Sequence, residues 1–256
     1  MSIIIFLIIL AVLVLVHEFG HFIVAKKSGI RVDEFGLGFP PRILGRKFGG
    51  TLYSLNAIPF GGFVKIFGED SHDVEVAEGD KSRSFQYKPK GIQALVLVAG
   101  VTFNLIFAWL VIFLRFIIET PKMPIGALVD SFRITGFLIV ETAIGLSKFL
   151  YNAITLQADL SQVSGPIGIV SIVSDASSQG FISIISLMAL ISINLALINL
   201  IPFPALDGGR LLFVAIEAII RRPISPKFVT VTNTVGFALL IILMIVVTTH
   251  DIFNLL

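Results

Sequence analysis

The feature that most constrains this chain is the apolar run from Ile3 to Val24, which is long enough to cross a bilayer and yet carries His17, Glu18 and His21. At 1.5 Å per residue, a helix needs about 20 apolar residues to cross a hydrocarbon core of about 30 Å. Ionisable groups there are expensive, and a centrally placed charge costs about 2.5–3.5 kcal/mol on insertion scales. Positions four apart share one helical face, so both imidazoles can reach one cation while Glu18 projects beside them. His17-Glu18-Phe19-Gly20-His21 reads as H-E-x-x-H, in which the histidines bind zinc and the glutamate serves a hydrolase as base. The structural alternative has these three residues pair with polar groups on neighbouring helices without a metal.

A hydrophobic content of 55%, a charged content of 14% and a mean hydropathy of +0.96 place the chain among polytopic membrane proteins. The net charge is only +2, and the basic residues sit between apolar runs. They therefore read as topology signals rather than as a nucleic-acid surface. Cysteine is absent, which sends any metal to histidine and carboxylate ligands. Met1-Ser2 lacks a basic flank, and Lys26-Lys27 follow the run with no small-residue cleavage site. The run is thus expected to stay as a first span, with the start of the chain outside and Lys26 onward in the cytoplasm.

The expected fold is an all-α polytopic membrane protein with four transmembrane helices and a small membrane-associated β region between the first and second. The spans are placed at about 3–24, 91–118, 181–201 and 229–248, all within a single domain over 1–256. Between residues 31 and 90, glycine-punctuated short runs predict turns and strands on the cytoplasmic side. Within this region Gly61-Gly62-Phe63-Val64-Lys65-Ile66 offers a strand edge on which an extended peptide can pair, or forms an ordinary hairpin. Glu69 to Arg83 reads as a connector, Glu119 to Arg133 as a short external connection, and 134–156 as a helix lying at the outer interface. Asn104 is expected to bond to a neighbouring helix. Ser164-Gly165-Pro166-Ile167-Gly168 is expected to form a turn.

The third span breaks at Pro202 and Pro204, just before Leu206-Asp207-Gly208-Gly209. Asp207 suits two roles, an N-cap for the apolar helix Leu211 to Ile220 or a third ligand beside His17 and His21. Two histidines that lack a third partner favour coordination. Most of the basic residues fall in the loops that this topology leaves inside, which puts both termini outside. The ends of the first and third spans, and with them the active site, then face the cytoplasm.

These residues resemble the site-2 proteases, zinc metalloproteases that cut peptide bonds within membranes. The resemblance rests on Val16-His17-Glu18-Phe19-Gly20-His21-Phe22, Pro59-Phe60-Gly61-Gly62-Phe63-Val64-Lys65, Ser164-Gly165-Pro166-Ile167-Gly168, and Asn199-Leu200-Ile201-Pro202-Phe203-Pro204-Ala205-Leu206-Asp207-Gly208-Gly209. It is closest to the bacterial regulator-of-sigma-E protease branch, which implies an inner (cytoplasmic) membrane location. It also implies Zn2+ as cofactor, His17, His21 and Asp207 as ligands, Glu18 as base, Asn199 as a holder of substrate backbone, and Gly61, Gly62 and Phe63 as part of a strand that guides substrate. The implied partners are the lipid bilayer and single-pass membrane protein substrates, such as an anti-sigma factor or a signal-peptide remnant. Two departures stand out. The usual PDZ insertion is missing, and Gly100-Val101-Thr102-Phe103-Asn104 lacks the proline common before the asparagine. The competing readings are a zinc-binding membrane transporter and a catalytically idle scaffold. A transporter is expected to place further ionisable residues along a path across the membrane, whereas His72 and His250 lie outside the apolar runs.

Overall fold

Helix α1 (Ser2–Lys27) opens the computed structural model, which describes residues 1–69, 77–119, 124–155, 157 and 164–255. The part of the expected connector that holds His72, and the stretch that holds Pro121, lie outside the described residues. With 26 residues, α1 is about 39 Å long at 1.5 Å per residue, enough to cross a hydrocarbon core. It ends where Gly29 takes φ +66° and the Ile30 N–H returns to the Ala25 carbonyl at 2.9 Å. Strands β1 (Val32–Phe48) and β2 (Thr51–Ile66) follow, then α2 (Lys90–Glu119), α3 (Pro124–Ile154), α4 (Pro166–Gln179), α5 (Phe181–Leu200), α6 (Asp207–Ile220) and α7 (Pro226–Leu255).

Five of these helices, α1, α2, α3, α5 and α7, are long and apolar enough to cross a membrane, where the sequence predicts four. The difference is α3. Residues expected to form an external connection and a separate interfacial helix make one continuous helix of 31 residues. Asp130, Arg133, Glu141 and Lys148 all lie exposed along it. Such side chains penalise insertion into lipid but do little against helix formation, so they leave the helix unbroken.

Residue contacts divide the chain into two units. One comprises residues 7–103 and 199–237. Its core is built from Phe22, Ala25, Val32, Ile66, Val96, Leu97 and Val214, which draws α1, the sheet, α2 and α6 around one apolar centre. The sheet bends on itself. Gly36 pairs with Phe63 on one side and with Ser54 on the other, so the first half of β1 lies between two segments of β2.

The other unit comprises residues 1–6, 104–198 and 238–256. Here Ala108 and Ile112 of α2 pack against Ala189 and Ile193 of α5. The Ser192 hydroxyl donates to the backbone carbonyl of the fully buried Asn104 at 2.8 Å, so this bond between helices uses the main chain, whereas the sequence-based expectation concerned the side-chain amide. The segment Ser164 to Gly168 is the start of α4 rather than an isolated turn, with Gly165 as N-cap and Pro166 in the first turn. The buried Asp251 carboxylate of α7 accepts the Gly168 N–H at 2.8 Å, which satisfies a donor left open at the start of α4.

Candidate metal centre

His17 and His21 lie on one face of α1, both buried, with their rings edge to face and 4.8 Å apart. Their Nε2 atoms are 3.2 Å apart. The Oδ2 atom of Asp207 completes a triangle, at 3.0 Å from His17 Nε2 and 3.2 Å from His21 Nε2. Three ligands of a tetrahedral zinc at 2.0–2.1 Å stand about 3.3 Å apart, so this triangle has the size of one face of a zinc tetrahedron. Its fourth corner is the position a water or substrate takes in a catalytic site. Asp207 is the first residue of α6, whose N-cap is Leu206, and its side chain makes no capping bond.

Hydrogen bonding around the triangle fits a cation. His21 Nδ1 lies 2.8 Å from the Val96 carbonyl oxygen of α2. A carbonyl only accepts, so Nδ1 carries the proton and Nε2 presents its lone pair toward His17 and Asp207. Electron-rich atoms converging on one point in an apolar interior are stabilised by a positive ion between them. These residues therefore fit zinc by donor type, separation and orientation.

Glycine shapes the site. A Cβ at Gly20 would stand 2.5 Å from the Ala99 carbonyl oxygen, and one at Gly100 would stand 2.4 Å from His21 Nε2 and 2.7 Å from His17 Cε1. Only residues without side chains let α1 and α2 cross this closely. In α6, a Cβ at Gly208 would stand 2.2 Å from the Ile201 carbonyl oxygen, and one at Gly209 would stand 2.2 Å from that of Phe203. The glycines after Asp207 thus let α6 begin directly against the turn that precedes it.

Glu18 is half-buried beside the ligands, and His21, His17, Asp207 and Glu69 act on it electrostatically. Gly62 lies next to it, while Gly61 faces Val14 and Phe39. A Cβ at Gly62 would stand 3.9 Å from Glu18 Cγ and 3.9 Å from Val14 Cγ1. Gly62 to Lys65 pairs with β1 along one edge, and among the described residues no strand pairs with its other edge. Phe63 stacks on Phe39, with ring centroids 6.3 Å apart. Asn199 occupies the last turn of α5 and is half-buried, and among the described residues its side chain makes no hydrogen bond.

Several supporting groups are not anticipated from the sequence. Val96 acts through its backbone carbonyl, which no side-chain pattern reveals. Lys90 and Arg210 hold α6 in place. Lys90 Nζ pairs with Glu217 at 2.5 Å, and Arg210, one turn after Asp207, pairs with Glu69 at the end of the sheet. The Ala99-Gly100 pair in α2 is the one available signal, since adjacent small residues in a membrane helix mark a close crossing.

A family model described as Peptidase family M50 matches residues 5–243. A Clostridium perfringens protein bearing the name "Putative zinc metalloprotease" is 32% identical over 340 aligned residues, covering 98% of this chain and 98% of that protein. The zinc metalloprotease RasP of Oceanobacillus iheyensis is 25% identical over 417 aligned residues, again covering 98% of each. A Fusobacterium nucleatum protein of the same description as the first is 26% identical over 344 aligned residues, covering 100% of this chain and 99% of that protein. These alignments run well past the 256 residues of this chain at nearly full coverage of both partners. The relatives therefore carry internal segments that this chain lacks.

Proposed function

Because the chain belongs to peptidase family M50, the site-2 protease family of zinc metalloendopeptidases, we propose that it hydrolyses peptide bonds in or near transmembrane segments of single-pass membrane proteins. The observation that carries this reading is the triangle of His17, His21 and Asp207, with edges of 3.0 to 3.2 Å, beside the carboxylate of Glu18 in an apolar helix. His17, His21 and Asp207 would hold the zinc, whose chemistry there would be Lewis acidity toward the scissile carbonyl and a lower pKa, toward about 7, for bound water. Glu18 accepts the proton of the attacking water and hands it to the leaving amine.

A substrate helix hides its carbonyls in internal hydrogen bonds, so it unwinds locally before attack. The unpaired edge at Gly62 to Lys65 offers the exposed backbone a partner next to Glu18. Asn199 offers a second partner through its amide. Phe63, stacked on Phe39, lines the approach. The natural substrates on this reading are membrane-tethered regulators such as an anti-sigma factor, or signal-peptide remnants.

Residues 1–256 act as one catalytic domain of a multi-pass integral membrane protein. It sits in the bacterial inner membrane with both termini outside and its site toward the cytoplasm. The basic residues support this orientation, since most of them fall in the loops it leaves inside. On this reading α3 lies along the outer interface, where its exposed charges reach water, and α4, with 14 residues or about 21 Å, is too short to cross.

The test uses the purified chain with Glu18→Gln. Zinc content is expected to stay unchanged while cleavage of a membrane-anchored reporter falls at least a thousandfold. Cleavage that persists would remove Glu18 as base. In the unsubstituted chain, zinc flux into vesicles without proteolysis would favour a transporter, and reporter binding without cleavage would favour a scaffold.

A further inference from the structure

One strained residue lies two positions before Asp207. Ala205 has φ +73°, in the left-handed region that residues with a Cβ rarely adopt. Its N–H donates to Asn233 Oδ1 of α7 at 3.2 Å. One turn further along α7, a Cβ at Gly236 would stand 2.6 Å from Pro204 Cβ and 2.7 Å from the Pro204 carbonyl oxygen. Asn233 and Gly236 share a helical face, so α7 presses on Pro204 and bonds the next residue in one contact. The turn is also held by Phe203 N–H to the Ile201 carbonyl at 2.7 Å and Leu206 N–H to the Phe203 carbonyl at 3.2 Å.

We propose that Asn233 is a positioning residue for the metal, holding Ala205 left-handed so that the Asp207 carboxylate points at His17 and His21. The direction of the chain entering α6 depends on the dihedral angles at Ala205. Were Ala205 to relax to negative φ, Leu206 and Asp207 would swing away, and a ligand displaced by 1 Å is no longer at bonding distance. An asparagine inside an apolar helix is costly to insert, and a bond to a strained backbone N–H accounts for its presence. This inference rests on Asp207 being a zinc ligand.

The test compares full-length Asn233→Ala, Ala205→Gly, the double variant and Asp207→Ala in detergent. It reads the rate of zinc loss to a chelator and the thermal unfolding of the metal-stripped chain. Asn233→Ala is expected to lose zinc about ten- to a hundredfold faster, the usual effect of removing a group that orients a ligand. Unfolding of the metal-free chain should shift no more than it does in the double variant, which lacks the same hydrogen bond. Glycine adopts positive φ readily, so the double variant should return to within about threefold of the original rate. Unaltered zinc loss in Asn233→Ala overturns the proposal, and so does a faster loss that glycine does not rescue, including one accompanied by early unfolding. Retention of zinc by Asp207→Ala would instead overturn the assignment of Asp207 itself.

Discussion

At Gly100 the free space is set by His21, since a methyl group there would meet Nε2 at 2.4 Å. The ring cannot turn aside cheaply, because its Nδ1 is bonded to Val96 one turn earlier on the same helix as Gly100. Gly100→Ala is therefore expected to weaken zinc binding at least tenfold, read by competition with a metal indicator. Gly91→Ala, on the same helix but with open space around its Cβ position, should leave affinity unchanged. At this scale the ligands are ordinary, and what distinguishes them is the lack of side chains around them. Asp207 likewise reaches the histidines because Gly208 and Gly209 admit backbone carbonyls where a Cβ would clash.

Helices here are fixed to one another by polar groups placed at their ends. Glu217 of α6 accepts the Ile224 N–H at 2.8 Å and pairs with Lys90 at the start of α2, which joins the two helices. Asp251 does the same for α4, and the space it fills explains two glycines of the Ser164 to Gly168 segment. A Cβ at Gly165 would stand 2.7 Å from Asp251 Oδ2, and one at Gly168 would stand 3.2 Å from both carboxylate oxygens. Asp251→Ala should lower stability by about 1 kcal/mol, because it leaves a partly buried N–H at the start of α4 without its partner. Thermal unfolding measures the loss, and zinc content should not change.

For the whole molecule the decisive question is whether α3 crosses. Its length permits crossing, with 31 residues or about 46 Å, whereas its exposed charges penalise insertion and fit the interfacial position proposed above. The chain has no cysteine, so single cysteines report without background. An impermeant thiol reagent applied outside intact cells is expected to label both Asp130→Cys and Lys148→Cys. Labelling of only one of the two would show a helix that crosses, and would overturn the interfacial position.

The sequence alone determined the membrane setting and the chemistry. Apolar runs of bilayer length and the pairing of His17 and His21 at helical spacing are local properties, legible without knowing what packs against them. Asp207 was legible only as one of two possibilities, because a carboxylate at a helix start can cap or coordinate. The capping role is absent in the structure, where Leu206 takes the N-cap position. Strand register, the bond from His21 to Val96 and the left-handed Ala205 came from the tertiary structure. Each depends on atoms distant in the chain, and free energy gained by close contact between separate elements leaves no periodic trace in either of them.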